Sequence, residues 1–136
     1  MEWDCWRTPA GRRPELRLKT IFDGVQELIA EFAPDAVVLE ESFVGADART
    51  ALSVGQARGA VMVAAADAGV ECAEYAPARV KQTVCGYGRA DKEQVGKMVK
   101  AILSLDEVPT PNHAADALAV AICHALAPPL MRLVAS

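Results

Sequence analysis

The sequence predicts an α/β domain in which helices flank a sheet. Long stretches repeat apolar residues at three- and four-residue intervals, short apolar runs between them are too brief for helices, and prolines and glycines fall at the edges of both. With 136 residues, 52% of them hydrophobic, the chain is long enough for a single domain over 1–136 with a buried core. No internal repeat or low-complexity block interrupts it.

Glu2 to Thr8 alternates enough to be a strand, which Pro9-Ala10-Gly11 ends. Pro14 then suits the first position of a helix in which Leu18, Ile21, Phe22, Val25, Leu28, Ile29 and Phe32 share one face until Pro34 stops it. Ala36-Val37-Val38-Leu39 is a continuous apolar run, expected to be a strand buried on both faces in a parallel part of the sheet. A second helix, rich in Ala and Gly, runs from about Ala48 to Ala68, and Glu71 to Tyr75 form the next strand. Pro77 opens a short helix reaching Cys85, with Gly86-Tyr87-Gly88 as its terminator. Asp91 and Gln94 have the spacing of a capping box ahead of the amphipathic Val95, Met98, Val99, Ile102 and Leu103. After Pro109-Thr110-Pro111, Asn112 is a good N-cap for an Ala-rich helix from about His113 to Leu126. The tail beyond Pro128-Pro129 is expected to be loose.

Composition excludes several classes. Uninterrupted apolar runs such as Ala60 to Ala66 fall far short of the ~20 residues that span a bilayer. The opening residues show no basic leader followed by an apolar stretch, so the expected location is the cytoplasm. Cys5, Cys72, Cys85 and Cys123 lie far apart without a C-x-x-C pair, which argues against a zinc module and for reduced thiols. The 18 acidic residues outnumber the 14 basic ones for a net charge of -4, so nucleic-acid binding would need a local patch. Arg79 to Lys100 provides one: six basic residues (Arg79, Lys81, Arg89, Lys92, Lys97, Lys100) against Asp91 and Glu93. Arg12, Arg13 and Arg17 could extend it.

Two features suggest chemistry. Glu40 directly follows an apolar strand, at the end where open α/β sheets place their sites, although a strand-end Glu equally fits plain solvation. His113 and Asp116 lie one helical turn apart, read here as the first turn of an apolar helix, where capping would also account for an acid. Carboxylate oxygens with an imidazole are ligands of the kind that hold Mg²⁺ or Mn²⁺, and paired cations of this type drive phosphodiester cleavage.

Val38-Leu39-Glu40-Glu41-Ser42-Phe43, Gly55-Gln56-Ala57-Arg58-Gly59, Val80-Lys81-Gln82 and His113-Ala114-Ala115-Asp116-Ala117-Leu118-Ala119 occur in one order along the chain. In that order and spacing they resemble the RuvC-type Holliday-junction resolvases, from roughly Arg7 to Ala125. The resemblance implies a ribonuclease-H-like mixed sheet flanked by helices, a homodimer, and Mg²⁺-dependent (or Mn²⁺-dependent) symmetric nicking of four-way DNA junctions in recombination and repair. It implies metal-site roles for Glu40, His113 and Asp116, catalytic roles near the scissile strand for Lys81 and Lys92, and DNA contacts by Phe43, Lys81, Arg89 and Lys92. Glu41, on the opposite strand face, receives no role. The resemblance also implies RuvA and RuvB, the branch-migration proteins, as partners. The Ala48 to Ala68 helix, whose small side chains permit close packing, is the candidate dimer contact.

Members of that family begin with a strand carrying D-P-G, whose Asp is the first metal ligand, followed by a second strand. Neither is found here, so the expectation is an N-terminally truncated member lacking the first two strands. Asp4 does not fit the motif. A non-cleaving junction-binding dimer and an inert fragment are therefore the alternatives to an active endonuclease.

Overall fold

The computed structural model describes residues 7–8, 11–41 and 47–127. Its elements follow in the order α1 (Pro14–Phe32), β1 (Ala36–Glu40), α2 (Ala48–Asp67), β2 (Glu71–Tyr75), α3 (Pro77–Cys85), α4 (Lys92–Ile102) and α5 (Asn112–Leu126). The expected strand over Glu2 to Thr8 lies outside the described residues except for Arg7 and Thr8, which are not in a strand. The tail beyond Ala127 and Phe43 also lie outside them.

Among the described residues β1 and β2 form a two-stranded parallel sheet. The backbone N–H of Glu41, just past β1, donates to the carbonyl of Tyr75 at the end of β2 at 2.8 Å, so both strands finish at the same edge. Two parallel strands need a long crossover, and α2 supplies it. All five residues of β1 are half-buried, so the strand is not closed over on both faces as its apolar run suggested.

The chain forms two compact units. One holds Arg7–Val37 and residues 47–72. Here α1 packs on α2, and Gln26 ties them by donating from Nε2 to the Ala64 carbonyl at 2.9 Å and to Asp67 Oδ2 at 3.1 Å. Pro14 opens α1, and Ala33 closes it in the left-handed region (φ 45°) with its N–H on the Ile29 carbonyl. Asp47 caps α2, accepting from the Arg49 N–H at 3.0 Å and the Thr50 hydroxyl at 2.7 Å. The small residues predicted to permit close packing do so at Ala64 and Ala65, which are fully buried, whereas Leu52, Met62 and Val63 on the same helix are exposed.

The other unit holds Val38–Glu41 and residues 73–127. Its core joins Ala73 and Tyr75 of β2 to Val80 and Val84 of α3, Val95 and Val99 of α4, and Leu118, Ile122 and Cys123 of α5. α5 packs against both α3 and α4. The ring of Tyr75 meets His124 edge-on, and its hydroxyl shares a 2.7 Å hydrogen bond with Nδ1. Cys85 and Cys123 are free thiols, the first half-buried and the second fully buried.

The capping box forms as its spacing predicted: the Gln94 N–H donates to Asp91 Oδ1 at 2.8 Å, and the Asp91 N–H donates to Gln94 Oε1 at 3.0 Å. The start of α5 differs from expectation. Pro111 occupies the cap position and Asn112 is the first helical residue, without a side-chain cap. Asp116 therefore falls beyond the first turn, where the pull of the helix dipole on an acid has largely faded.

Removing the cap of α4 tests this local account. Asp91→Ala is expected to lower unfolding free energy by about 1 kcal/mol, and Asp91→Asn by much less, because Asn caps as well as Asp. Urea denaturation of the two variants checks it; equal losses would show that the carboxylate serves some purpose other than capping.

Candidate active site

Glu40 is the last residue of β1, so it sits at the edge where both strands end. The chain leaves β2 at Tyr75 and turns at once into α3, because Pro77 fits the first helical position. This places Lys81 one turn into α3. Lys92 opens α4, and Asp116 lies on the inward side of α5, next to the buried Ala115.

These four side chains meet. A cavity of about 260 Å³ is lined by Glu40, Lys81, Lys92 and Asp116 over an apolar wall of Pro77, Val80, Val95 and Ala119. Glu40, Lys81 and Asp116 are half-buried and Lys92 is exposed. A second cavity, of about 470 Å³, shares Lys92 and Asp116 and continues along α4 past Glu93, Gly96 and Lys97 toward Val108 and Asn112. α4 approaches the segment after it closely, since a Cβ on Gly96 would lie 2.9 Å from Val108 Cγ1.

The electrostatics record the convergence. Partial burial pushes the Glu40 carboxyl above its ordinary value, the neighbouring Asp116 charge pushes it further, and Lys81 and Lys92 pull against both. The two carboxylates thus feel each other, with two cations beside them.

The other candidates stand apart from this cavity. His113 is exposed on the first turn of α5 and does not line it, and Arg89 is exposed and lines neither cavity. Phe43 lies outside the described residues. The sequence placed Pro77 at a helix start and Val95 on an apolar helix face, but it gave no sign that they join Val80 and Ala119 in one cavity wall. Two hard carboxylate oxygens whose mutual repulsion a cation would relieve fit a divalent metal ion. Among the described residues no cluster of three or more His, Cys, Asp or Glu forms around them. No described helix is long and apolar enough to cross a membrane.

Comparison with known proteins places the chain. The family model of crossover junction endodeoxyribonuclease RuvC matches residues 1–124. The chain belongs to the RuvC family. It is 54% identical over 123 residues to the crossover junction endodeoxyribonuclease RuvC of Moorella thermoacetica, covering 90% of this chain and 74% of that relative. With the RuvC of Natranaerobius thermophilus it shares 53% over 121 residues, covering 89% and 75%. Among solved structures, Thermus thermophilus RuvC superposes with a TM-score of 0.87 at 40% identity, covering 99% of this chain and 80% of that one. T. thermophilus RuvC in complex with a Holliday junction substrate gives a TM-score of 0.81 at 42% identity, covering 88% and 73%. The expected ribonuclease-H-like fold is thereby established, and with it an endodeoxyribonuclease family.

The raised Glu40 pKa carries a stability consequence. The folded chain holds this proton more tightly than the unfolded chain, so ionised Glu40 opposes folding once pH rises through its folded pKa. Glu40→Gln is therefore expected to be more stable than the parent at neutral pH, with the advantage vanishing below the ordinary value of 4.5. Denaturation midpoints across that range check it; an advantage independent of pH would contradict the cause given.

Proposed function

We propose that the chain is a structure-selective endonuclease that resolves four-way DNA junctions in recombination and repair by metal-dependent symmetric nicking. The observation that carries this reading is the convergence of Glu40 and Asp116 with Lys81 and Lys92 in one cavity of a RuvC-family chain. The solved complex of a relative with a Holliday junction supports the substrate class.

In this reading Glu40 and Asp116 hold Mg²⁺, or Mn²⁺ in its place. His113, three residues before Asp116 on α5, is assigned as a further ligand by its position in the motif. A bound divalent cation supplies Lewis-acid chemistry, readying water for attack at phosphorus and offsetting charge on the leaving oxygen. Lys81 and Lys92 grip the scissile phosphate and neutralise the charge that grows on it in the transition state. The wall of Pro77, Val80, Val95 and Ala119 keeps water from screening that charge. Phe43, three residues beyond Glu40, would stack on an unpaired base at the junction centre, and Arg89 would contact the backbone outside the cavity.

A two-fold junction asks for a two-fold protein, so this reading includes a homodimer with α2 as its contact. The exposed Leu52, Met62 and Val63 on that helix favour it. RuvA and RuvB are the partners, and the cytoplasm the location, that family membership suggests. A second reading, a junction-binding dimer that does not cleave, is favoured by the finding that only two carboxylates converge among the described residues.

A labelled four-way junction separates the readings. The chain is expected to nick two opposed strands with Mg²⁺, and Asp116→Asn to abolish nicking while still binding. Lys81→Ala and Lys92→Ala are each expected to slow nicking by roughly 10²-fold, the scale of losing one charged transition-state contact. Tight binding by the parent without nicking would establish the second reading, and absence of both would refute each.

A further inference from the structure

We infer that Tyr87 is a positioning residue for Lys92, acting through Gln94 and the first turn of α4. The inference rests on the reading of Lys92 as a phosphate contact.

Lys92 is the first residue of α4 and lines both cavities beside Asp116. A cation suits that position poorly, because the unpaired N–H groups of a helix start carry positive potential. What sets the place of Lys92 is the backbone of that turn, and several hydrogen bonds hold it. Asp91 and Gln94 hold it through their reciprocal bonds, and a third bond comes from beyond the helix: the Tyr87 hydroxyl donates to the same Gln94 Oε1 at 2.5 Å. The Asp91 N–H can only donate, so the atom facing it must be the oxygen of Gln94. Its two lone pairs are filled by Asp91 and Tyr87.

The loop carrying Tyr87 is shaped for this contact. Gly86 ends α3 in the left-handed region (φ 88°), reversing the chain at a point where a side chain would be strained. Gly88 lies against the Ala78 backbone, where an added Cβ would come within 3.4 Å of the carbonyl oxygen. The ring of Tyr87 is 45% exposed and lies outside the buried core, so the hydroxyl bond is its distinctive contribution. The loop joins the two helices that carry the cavity's lysines, Lys81 on α3 and Lys92 on α4, and Tyr87 ties its far end to the turn that presents the second.

A double-mutant cycle on junction binding in EDTA, with no nicking to complicate it, tests this on the full chain. Tyr87→Phe is expected to weaken binding of a labelled four-way junction roughly 3-fold in the parent and to change nothing in a Lys92→Ala background. Amide hydrogen exchange over the first turn of α4 should quicken in Tyr87→Phe, while circular dichroism stays that of the parent. Equal losses in both backgrounds, or no loss in either, would overturn the inference. If Lys92→Ala leaves both affinity and its salt dependence unchanged, the phosphate-contact reading of Lys92 fails first and takes the inference with it.

Discussion

Two like charges held along one cavity are the constraint on which the rest of the site depends. Glu40 and Asp116 would each be better solvated apart, and burial with mutual repulsion raises the Glu40 pKa. Their juxtaposition is maintained by structure with other anchors. The β1 end is pinned by the Glu41 to Tyr75 backbone bond, and α5 is seated in the core through Leu118, Ile122 and Cys123. Lys81 and Lys92 offset part of the repulsion. What remains is an arrangement suited to a cation and a phosphate, at a cost in stability that a functional site commonly carries.

The order of elements explains how so short a chain segment assembles such a site. Parallel strands bring their C-terminal ends to one edge, and α3, α4 and α5 follow in the same unit. One side chain per element then suffices: Glu40 from β1, Lys81 from α3, Lys92 from α4 and Asp116 from α5. Each comes from a regular element rather than a loop, which favours precise placement. The charge contrast follows as well, since the basic segment from Arg79 to Lys100 delivers its two cavity lysines beside the acidic pair in a chain that is acidic overall.

Much of this was legible in the sequence where the signals are local. Pro14 and Pro77 open their helices and Asp91 with Gln94 closes a capping box, because such residues act on the backbone within a turn. Glu40 was legible as an anomaly at the end of an apolar run, and Asp116, with His113, as one at the start of an apolar helix. Burial of β1 was not, since it depends on what lies against the strand rather than on Val37 and Val38 themselves. The start of α5 was misread by one residue because Asn112 is as good a cap as any, and that shift moved Asp116 out of the first turn. His113 lies one helical turn from Asp116 as its spacing implied, but it is exposed and does not line the cavity that Asp116 reaches, which depends on how α5 is seated rather than on spacing. The Tyr87 to Gln94 bond had no signal, because it joins two side chains across the turn between α3 and α4, and no local pattern specifies such a pair.

The claim at the centre is that Glu40 and Asp116 act as one cation site. Calorimetric titration of Mn²⁺ into the parent chain, Glu40→Gln and Asp116→Asn tests it without reference to DNA. Binding by the parent that is lost in both variants is the result expected of a shared site. Binding that survives unchanged in both would contradict it, and would leave the two carboxylates as neighbours without a common ligand.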